Sequence, residues 1–211
     1  MRPLALVAAL VIVSACSASV PANQGVYMLL DTSGTYREEL EKAQQIIRYT
    51  LSRLDAADSF AVARIDTASF SEKDIVAKAT LDDRPSMMNR QKRLFAEQIG
   101  AFVEDTRSSP YTDITGGLLQ AVEFLNEKNP GRKTVLIFSD LKEDLKDGYV
   151  RDFGIDLDGF DVIALNVTKL GTDNVDPREY LDRLSTWQAR VEGSGGRWRV
   201  INDLDSLDGL L

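Results

Sequence analysis

Three short clusters of oxygen donors stand out along the chain: Asp31, Ser33 and Thr35; Thr112 and Asp113; Ser139 and Asp140. Each combines a carboxylate with at least one hydroxyl, and none has a nitrogen or sulfur ligand beside it. The 211 residues include no histidine and one cysteine, Cys16. A Ser-His-Asp or Cys-His nucleophile system is therefore excluded, as is a histidine-ligated zinc. A single cysteine forms no internal disulfide. Donor sets made only of oxygen select hard cations: magnesium, calcium or manganese. The chemistry open to these residues is cation binding, or carboxylate chemistry at Asp31.

The elements that must position them can be read from hydrophobic patterning. Val26 to Leu30 is an unbroken apolar and aromatic run that ends directly at Asp31. Such a run, with no polar alternation, reads as a strand covered on both faces. Lys133 to Asp140 repeats the pattern, and Phe160 to Val167 is a further buried strand. Ser59 to Ile65 and Trp198 to Ile201 also read as strands, and Asp74 to Leu81 as an edge strand, because charges interrupt it. Thr35-x-x-Glu38 has capping-box form ahead of Leu40, Ala43, Ile47, Leu51 and Leu54, one apolar helix face. After a turn at 82–85, a second helix over 89–106 carries Leu94, Phe95, Ile99, Phe102 and Val103 on one side. A third follows Thr112, with Ile114, Leu118, Ala121, Val122 and Leu125 inward. Asp176-Pro177-x-Glu179 starts a fourth, continued by Leu181, Leu184, Trp187 and Val191.

Strands alternating with helices imply an α/β fold: a doubly wound, mostly parallel central sheet with helices on both faces. One domain fills residues 25–211. In open sheets of this kind ligands bind beyond the carboxyl ends of the strands. Asp31 and Asp140 fall there, and Thr112, entering a helix, is expected on the same rim. Taken singly, Ser33 to Thr35 could be a turn and helix cap, and Thr112-Asp113 an N-cap.

Composition narrows the class further. Hydrophobic content of 44% with 27% charged residues is that of a soluble globular domain. The formal net charge of -8 argues against a nucleic-acid partner, which calls for a basic face. At the amino terminus, residues 1–15 have the form of a signal peptide: Arg2, then an apolar stretch from Leu4 to Val13, too short to span a bilayer comfortably. Val13-Ser14-Ala15-Cys16 resembles the lipobox of bacterial lipoproteins. That resemblance implies cleavage before Cys16, acylation of its thiol, and a lipid anchor and tether over residues 16–24. Each buried CH₂ of such an anchor contributes about 0.8 kcal/mol. The implied location is the bacterial cell envelope, with the domain facing the periplasm or the exterior. Ser17 in place of an aspartate resembles the outer-membrane sorting pattern of Gram-negative sources.

The three clusters together resemble the von Willebrand factor type A (vWA) domain with its metal-ion-dependent adhesion site (MIDAS). The family's Asp-x-Ser-x-Ser after a buried strand is similar to Asp31-Thr32-Ser33-Gly34-Thr35, with threonine in the last place. Its threonine ahead of a helix is matched by Thr112 in Thr112-Asp113-Ile114-Thr115-Gly116-Gly117, and its aspartate after a buried strand by Asp140. The family's usual glycine after that aspartate is here Leu141. The resemblance spans residues 25 to about 201. It implies a Rossmann-like sandwich with one short antiparallel edge strand. It also implies a bound magnesium, with manganese or calcium as alternatives. Ser33 and Thr35 are then direct ligands, Thr112 and Asp140 bind directly or through water, and Asp31 anchors waters and hydroxyls. The implied partner is a protein that supplies an Asp or Glu carboxylate, with no catalytic role for the site. Other readings of Asp31 are a phosphotransfer nucleophile, an aspartic-protease-like Asp-Thr-Ser, or part of a structural lipoprotein that uses the fold without metal.

Overall fold

The computed structural model describes residues 21–65, 71–151, 154–167, 176–203, 207 and 209–211, without the side chains of Thr35, Arg37, Glu38 and Pro177. The expected signal peptide and Cys16 lie outside the described residues, as does the Thr35 hydroxyl.

Six strands form one sheet: β1 (Gln24–Leu30), β2 (Ser59–Arg64), β3 (Ile75–Thr80), β4 (Arg132–Phe138), β5 (Phe160–Leu165) and β6 (Arg197–Ile201). Their order is β3-β2-β1-β4-β5-β6. Among the described residues only the β2–β3 strand pair is antiparallel, so the charge-broken segment is the short antiparallel edge. Among the described residues four α-helices cover the two faces: α1 (Leu40–Arg53), α2 (Pro85–Asp105), α3 (Ile114–Lys128) and α4 (Pro177–Gly193).

The uniform apolarity of β1 has a direct cause in this packing. Its successive side chains point to opposite faces. Tyr27 and Leu29 join a core completed by Ile114, Leu118 and Leu125 of α3 and by Trp187 and Val191 of α4. Val26, Met28 and Leu30 join a second core with Ala43, Ile46, Ile47 and Leu51 of α1 and Phe95 and Ile99 of α2. Burying each large apolar side chain contributes about 1.5–3 kcal/mol, so both faces of β1 are held firmly. Gly117 allows α3 to lie close on the sheet, since a Cβ there would meet Ile65 at 2.6 Å and Leu29 at 2.9 Å.

Several boundaries differ from the sequence reading. Residues Gly34–Glu39 form a 3-10 segment, and α1 starts only at Leu40, without a side-chain cap at Glu39. Tyr36 accounts for this tighter path. Its ring packs edge-on against Phe138 at 5.3 Å and its hydroxyl donates to the Asn166 carbonyl, tying the segment to the ends of β4 and β5. The second helix begins at Pro85, within the expected turn, because proline suits a first helical position. Leu94 is 47% and Leu181 60% exposed, contrary to their expected inward placement. Leu94 sits one residue from the buried stripe of Phe95 and Ile99, a rotation of about 100°, and α4 buries only its later residues, Trp187 and Val191.

Candidate metal centre

The parallel pairing of β1 with β4 brings the first and third clusters side by side. Leu30 pairs with Phe138, and the Asp31 N–H donates to the Phe138 carbonyl at 3.0 Å. Asp31 and Ser139 are therefore each the first residue past the paired run. Asp31 has no exposed surface. Its Oδ2 accepts from the Ser139 hydroxyl at 2.6 Å, and its Oδ1 from the Ser33 N–H at 2.8 Å and the Thr112 hydroxyl at 3.4 Å. These hydrogen-bond partners are all neutral. Burial pushes the Asp31 carboxyl above the usual aspartate range; the hydrogen bonds from Ser139 and Ser33 oppose this, and the charge of Asp140 adds to it.

Thr112 reaches the rim through a loop pinned on three sides. The Ser109 N–H donates to the Thr32 carbonyl at 3.1 Å. Thr112 and Asp144 exchange backbone hydrogen bonds of 2.8 and 3.0 Å. The Asp113 N–H donates to the Ile65 carbonyl at the end of β2, at 2.7 Å. Asp113 itself turns away from the metal candidates. Its carboxylate caps α3 by accepting from the Gly116 N–H at 2.7 Å, and it receives Arg151 at 2.6 and 3.2 Å. The two residues thus separate in role: Asp113 is the helix cap, while the Thr112 hydroxyl faces Asp31.

Asp140 lies on the same rim, 7% exposed, with its Oδ1 accepting from the Lys142 N–H at 2.8 Å. Leu141, standing at the place of the family's glycine, has φ of 66°. A left-handed backbone costs a non-glycine residue about 1–2 kcal/mol. The Leu141 N–H donates to the Ser139 hydroxyl oxygen at 3.1 Å, and its side chain is 2% exposed. Ser139 is thus tied at once to Asp31 and to the turn beyond Asp140. The sequence marks it as part of the third cluster but not as the donor to Asp31, which depends on the β1–β4 register. Glu143 is a further acid of this region; its Oε1 accepts from the Thr115 N–H at 2.6 Å and its Oε2 lies 3.4 Å from Arg190.

Asp31, Ser33, Thr112 and Asp140 are accordingly gathered on one rim with Ser139; Thr35 follows on the same segment, its side chain outside the described atoms. The donors fit a small divalent ion. One carboxylate, Asp31, is fully buried among neutral partners, and the charge of the other, Asp140, adds to the upward push on its pKa. Hydroxyls supply the remaining oxygens. Among the described residues no group of three or more acidic or thiol ligands occurs, so this is not a carboxylate cage of the calcium-loop kind.

No protein-family model matches the sequence, and no curated protein matches it. Solved structures do match the fold. A von Willebrand factor type A protein from Catenulispora acidiphila superposes with a TM-score of 0.52 at 14% identity, over 89% of this chain and 40% of that one. The pilus adhesin SpaC from Lactobacillus rhamnosus GG, in its open conformation, gives 0.53 at 12% identity, over 89% of this chain and 28% of the adhesin. The chain therefore spans less than half the length of either protein. With the observed strand order, these matches show a vWA-type fold.

Proposed function

We propose that this protein is a vWA-domain lipoprotein of the bacterial cell envelope. In this reading it holds a divalent cation, magnesium first, at the Asp31 rim and through it binds a carboxylate of a protein partner. The observation that carries the proposal is the buried Asp31 carboxylate, hydrogen-bonded to the neutral donors Ser139, Ser33 and Thr112. A buried charge without a counter-charge is strongly disfavoured, and a cation supplies one. Ser33 and Thr35 would hold the ion through their hydroxyls, Thr112 and Asp140 directly or through water, with Asp31 orienting them. Magnesium accepts such a set because it favours six oxygens and retains waters. Ligands that are largely neutral leave the ion electron-poor, so a partner's Asp or Glu is a favourable additional ligand. Manganese and calcium are the alternatives to be ranked by titration.

A non-catalytic role agrees with the same geometry. Asp31 has no exposed surface and both its oxygens accept hydrogen bonds, which is unfavourable for a phosphotransfer nucleophile. One protein that shares the fold, SpaC from Lactobacillus rhamnosus GG, is a pilus adhesin. The lipid anchor at Cys16 is part of the proposal, resting on the Val13 to Cys16 motif. No helix among the described residues is long and apolar enough to cross a membrane.

The decisive experiment is a thermal-unfolding titration of the purified protein in chelator and in millimolar Mg²⁺, Mn²⁺ or Ca²⁺. A rise in melting temperature that Asp31→Asn abolishes supports the site; a wild-type protein indifferent to every divalent ion refutes it.

A further inference from the structure

The turn that carries Asp140 is gripped from outside the three donor clusters. Two consecutive backbone carbonyls, those of Asp140 and Leu141, are each caught by a side chain of α4. The Arg183 Nε donates to the Asp140 carbonyl at 3.2 Å, and the Trp187 Nε1 donates to the Leu141 carbonyl at 2.9 Å. These donors lie four residues apart, one helical turn, so both present to the same stretch of chain. Between the two carbonyls falls Leu141, with its left-handed φ of 66°. On its other side the turn meets the Ser139 hydroxyl, which also donates to Asp31.

The surroundings make this grip consequential. A cavity of about 490 Å³ opens between α4 and the turn, lined by Leu141, Lys142, Arg183 and Trp187 among others. The Arg183 and Trp187 side chains thus reach the turn along the wall of this cavity. Trp187 is 5% exposed, and the Arg190 guanidinium lies over its ring at 5.0 Å from the centroid. Its indole N–H is buried and needs an acceptor; relaxing Leu141 toward a right-handed backbone would rotate that acceptor away.

Resting on the metal-site reading above, we infer that Trp187 and Arg183 are positioning residues for the candidate metal ligand Asp140: by holding the 140 and 141 carbonyls they fix the left-handed turn that aims its carboxylate at the Asp31 rim. Neither side chain is itself a ligand in this assignment. The pair does by hydrogen bonding what a glycine at 141 would do by conformational freedom. Outer partners that orient metal ligands typically change affinity by about 10–100-fold when removed.

The test is Mn²⁺ binding to the purified protein, followed by the loss of the free-ion electron paramagnetic resonance signal. Wild type is compared with Trp187→Phe, Arg183→Gln and the control Trp198→Phe, and melting temperatures are recorded in chelator. The expected result is at least about a tenfold weaker affinity in each of the first two variants and wild-type affinity in the control. The chain has two tryptophans, so a second readout is direct: on adding Mg²⁺ the indole N–H resonance of Trp187 shifts and that of Trp198 does not. Lowered melting temperatures with wild-type Mn²⁺ affinity in both variants would show a merely structural role and overturn the inference, leaving the metal site intact. Should Trp187→Phe fail to fold, Arg183→Gln and the wild-type resonance shift decide alone. A wild type that does not bind Mn²⁺ refutes the underlying site itself.

Discussion

Asp31 is a carboxylate that the fold withdraws from water and, among the described residues, holds by neutral hydrogen-bond donors. Its three hydrogen-bond donors, Ser139, Ser33 and Thr112, hold it in place but carry no charge. The isosteric amide should therefore be tolerated when no metal is present. Asp31→Asn keeps an oxygen for the Ser33 N–H and presents an amide to the Ser139 oxygen. In chelator the variant is expected to melt at or above the wild-type temperature, since it removes a buried charge. In Mg²⁺ the order reverses. An ion at one hundred times its Kd stabilises the wild type by about 2.7 kcal/mol, roughly 5–10 °C for a domain of this size. The variant gains nothing. Differential scanning calorimetry in the two buffers measures both halves.

At the level of elements, helix α3 and strand β5 each carry an acid with a definite structural duty. Asp113 caps α3 and receives the guanidinium of Arg151, whose side chain is 14% exposed. Asp113→Ala loses a cap of about 1 kcal/mol and a charge-assisted pair contributing about 1.5–3 kcal/mol. The melting temperature is expected to fall by several degrees in chelator. Because Asp113 faces away from Asp31, the increment produced by Mg²⁺ should survive unchanged, which separates this acid from its neighbour Thr112. Asp161 of β5 is held below the usual aspartate range mainly by its hydrogen bonds from Arg197 of β6, at 2.6 and 2.9 Å. A carboxyl depressed on folding adds stability above its unfolded pKa of about 3.9 and forfeits it as the pH falls through the folded value. Asp161→Asn is thus expected to be slightly less stable at neutral pH and to lose less on acidification below about pH 4. Arg197 is 71% exposed, so solvent screening keeps the effect under about 1 kcal/mol. Urea unfolding at a series of pH values reads it.

On the scale of the whole molecule, the route of β1 separates the two ends that matter. The chain enters the sheet at Gln24 and leaves it at Leu30, directly before Asp31. The candidate tether thus joins at the amino ends of the parallel strands, and the candidate site lies at their carboxyl ends. A domain anchored through Cys16 would carry its rim at the end of the sheet remote from the tether, suited to a partner reached across solvent. The expected outcome for Cys16→Ser is loss of the acyl mass from the mature chain and transfer of the protein from the membrane pellet to the soluble fraction. Intact-protein mass spectrometry and fractionation check this independently of any metal. Affinity capture in Mg²⁺ and again in EDTA, with Asp31→Asn beside wild type, tests for a partner held through the metal.

Much of this architecture was legible in the residues. The unbroken apolar run of β1 and the apolar stretches Val135 to Phe138 of β4 and Val162 to Leu165 of β5 show strands covered on both faces, because a strand with one wet face must alternate. The three donor clusters stood at strand ends and a helix start, where backbone paths leave the core and polar side chains become tolerable. The sequence also separated Asp176-Pro177 as a helix start, which Asp176 performs by accepting from the Arg178 N–H. It could not foretell that the segment after Ser33 winds as a 3-10 turn, because the cause, Tyr36 gripping Phe138 and Asn166, joins residues more than one hundred positions apart. Nor could it divide Thr112 from Asp113: both suit a cap, and only the placement of Arg151 and Asp31 assigns each its direction. The substitution of Leu141 for glycine read as a simple departure from the family pattern. Tertiary structure shows instead a left-handed residue held by Ser139 on one side and α4 on the other. Local patterning determined the strands, helices and donor types, since those follow from periodicity and burial along the chain. Register and helix docking decided which oxygens face one another, since that is set by contacts between segments that the chain order keeps apart.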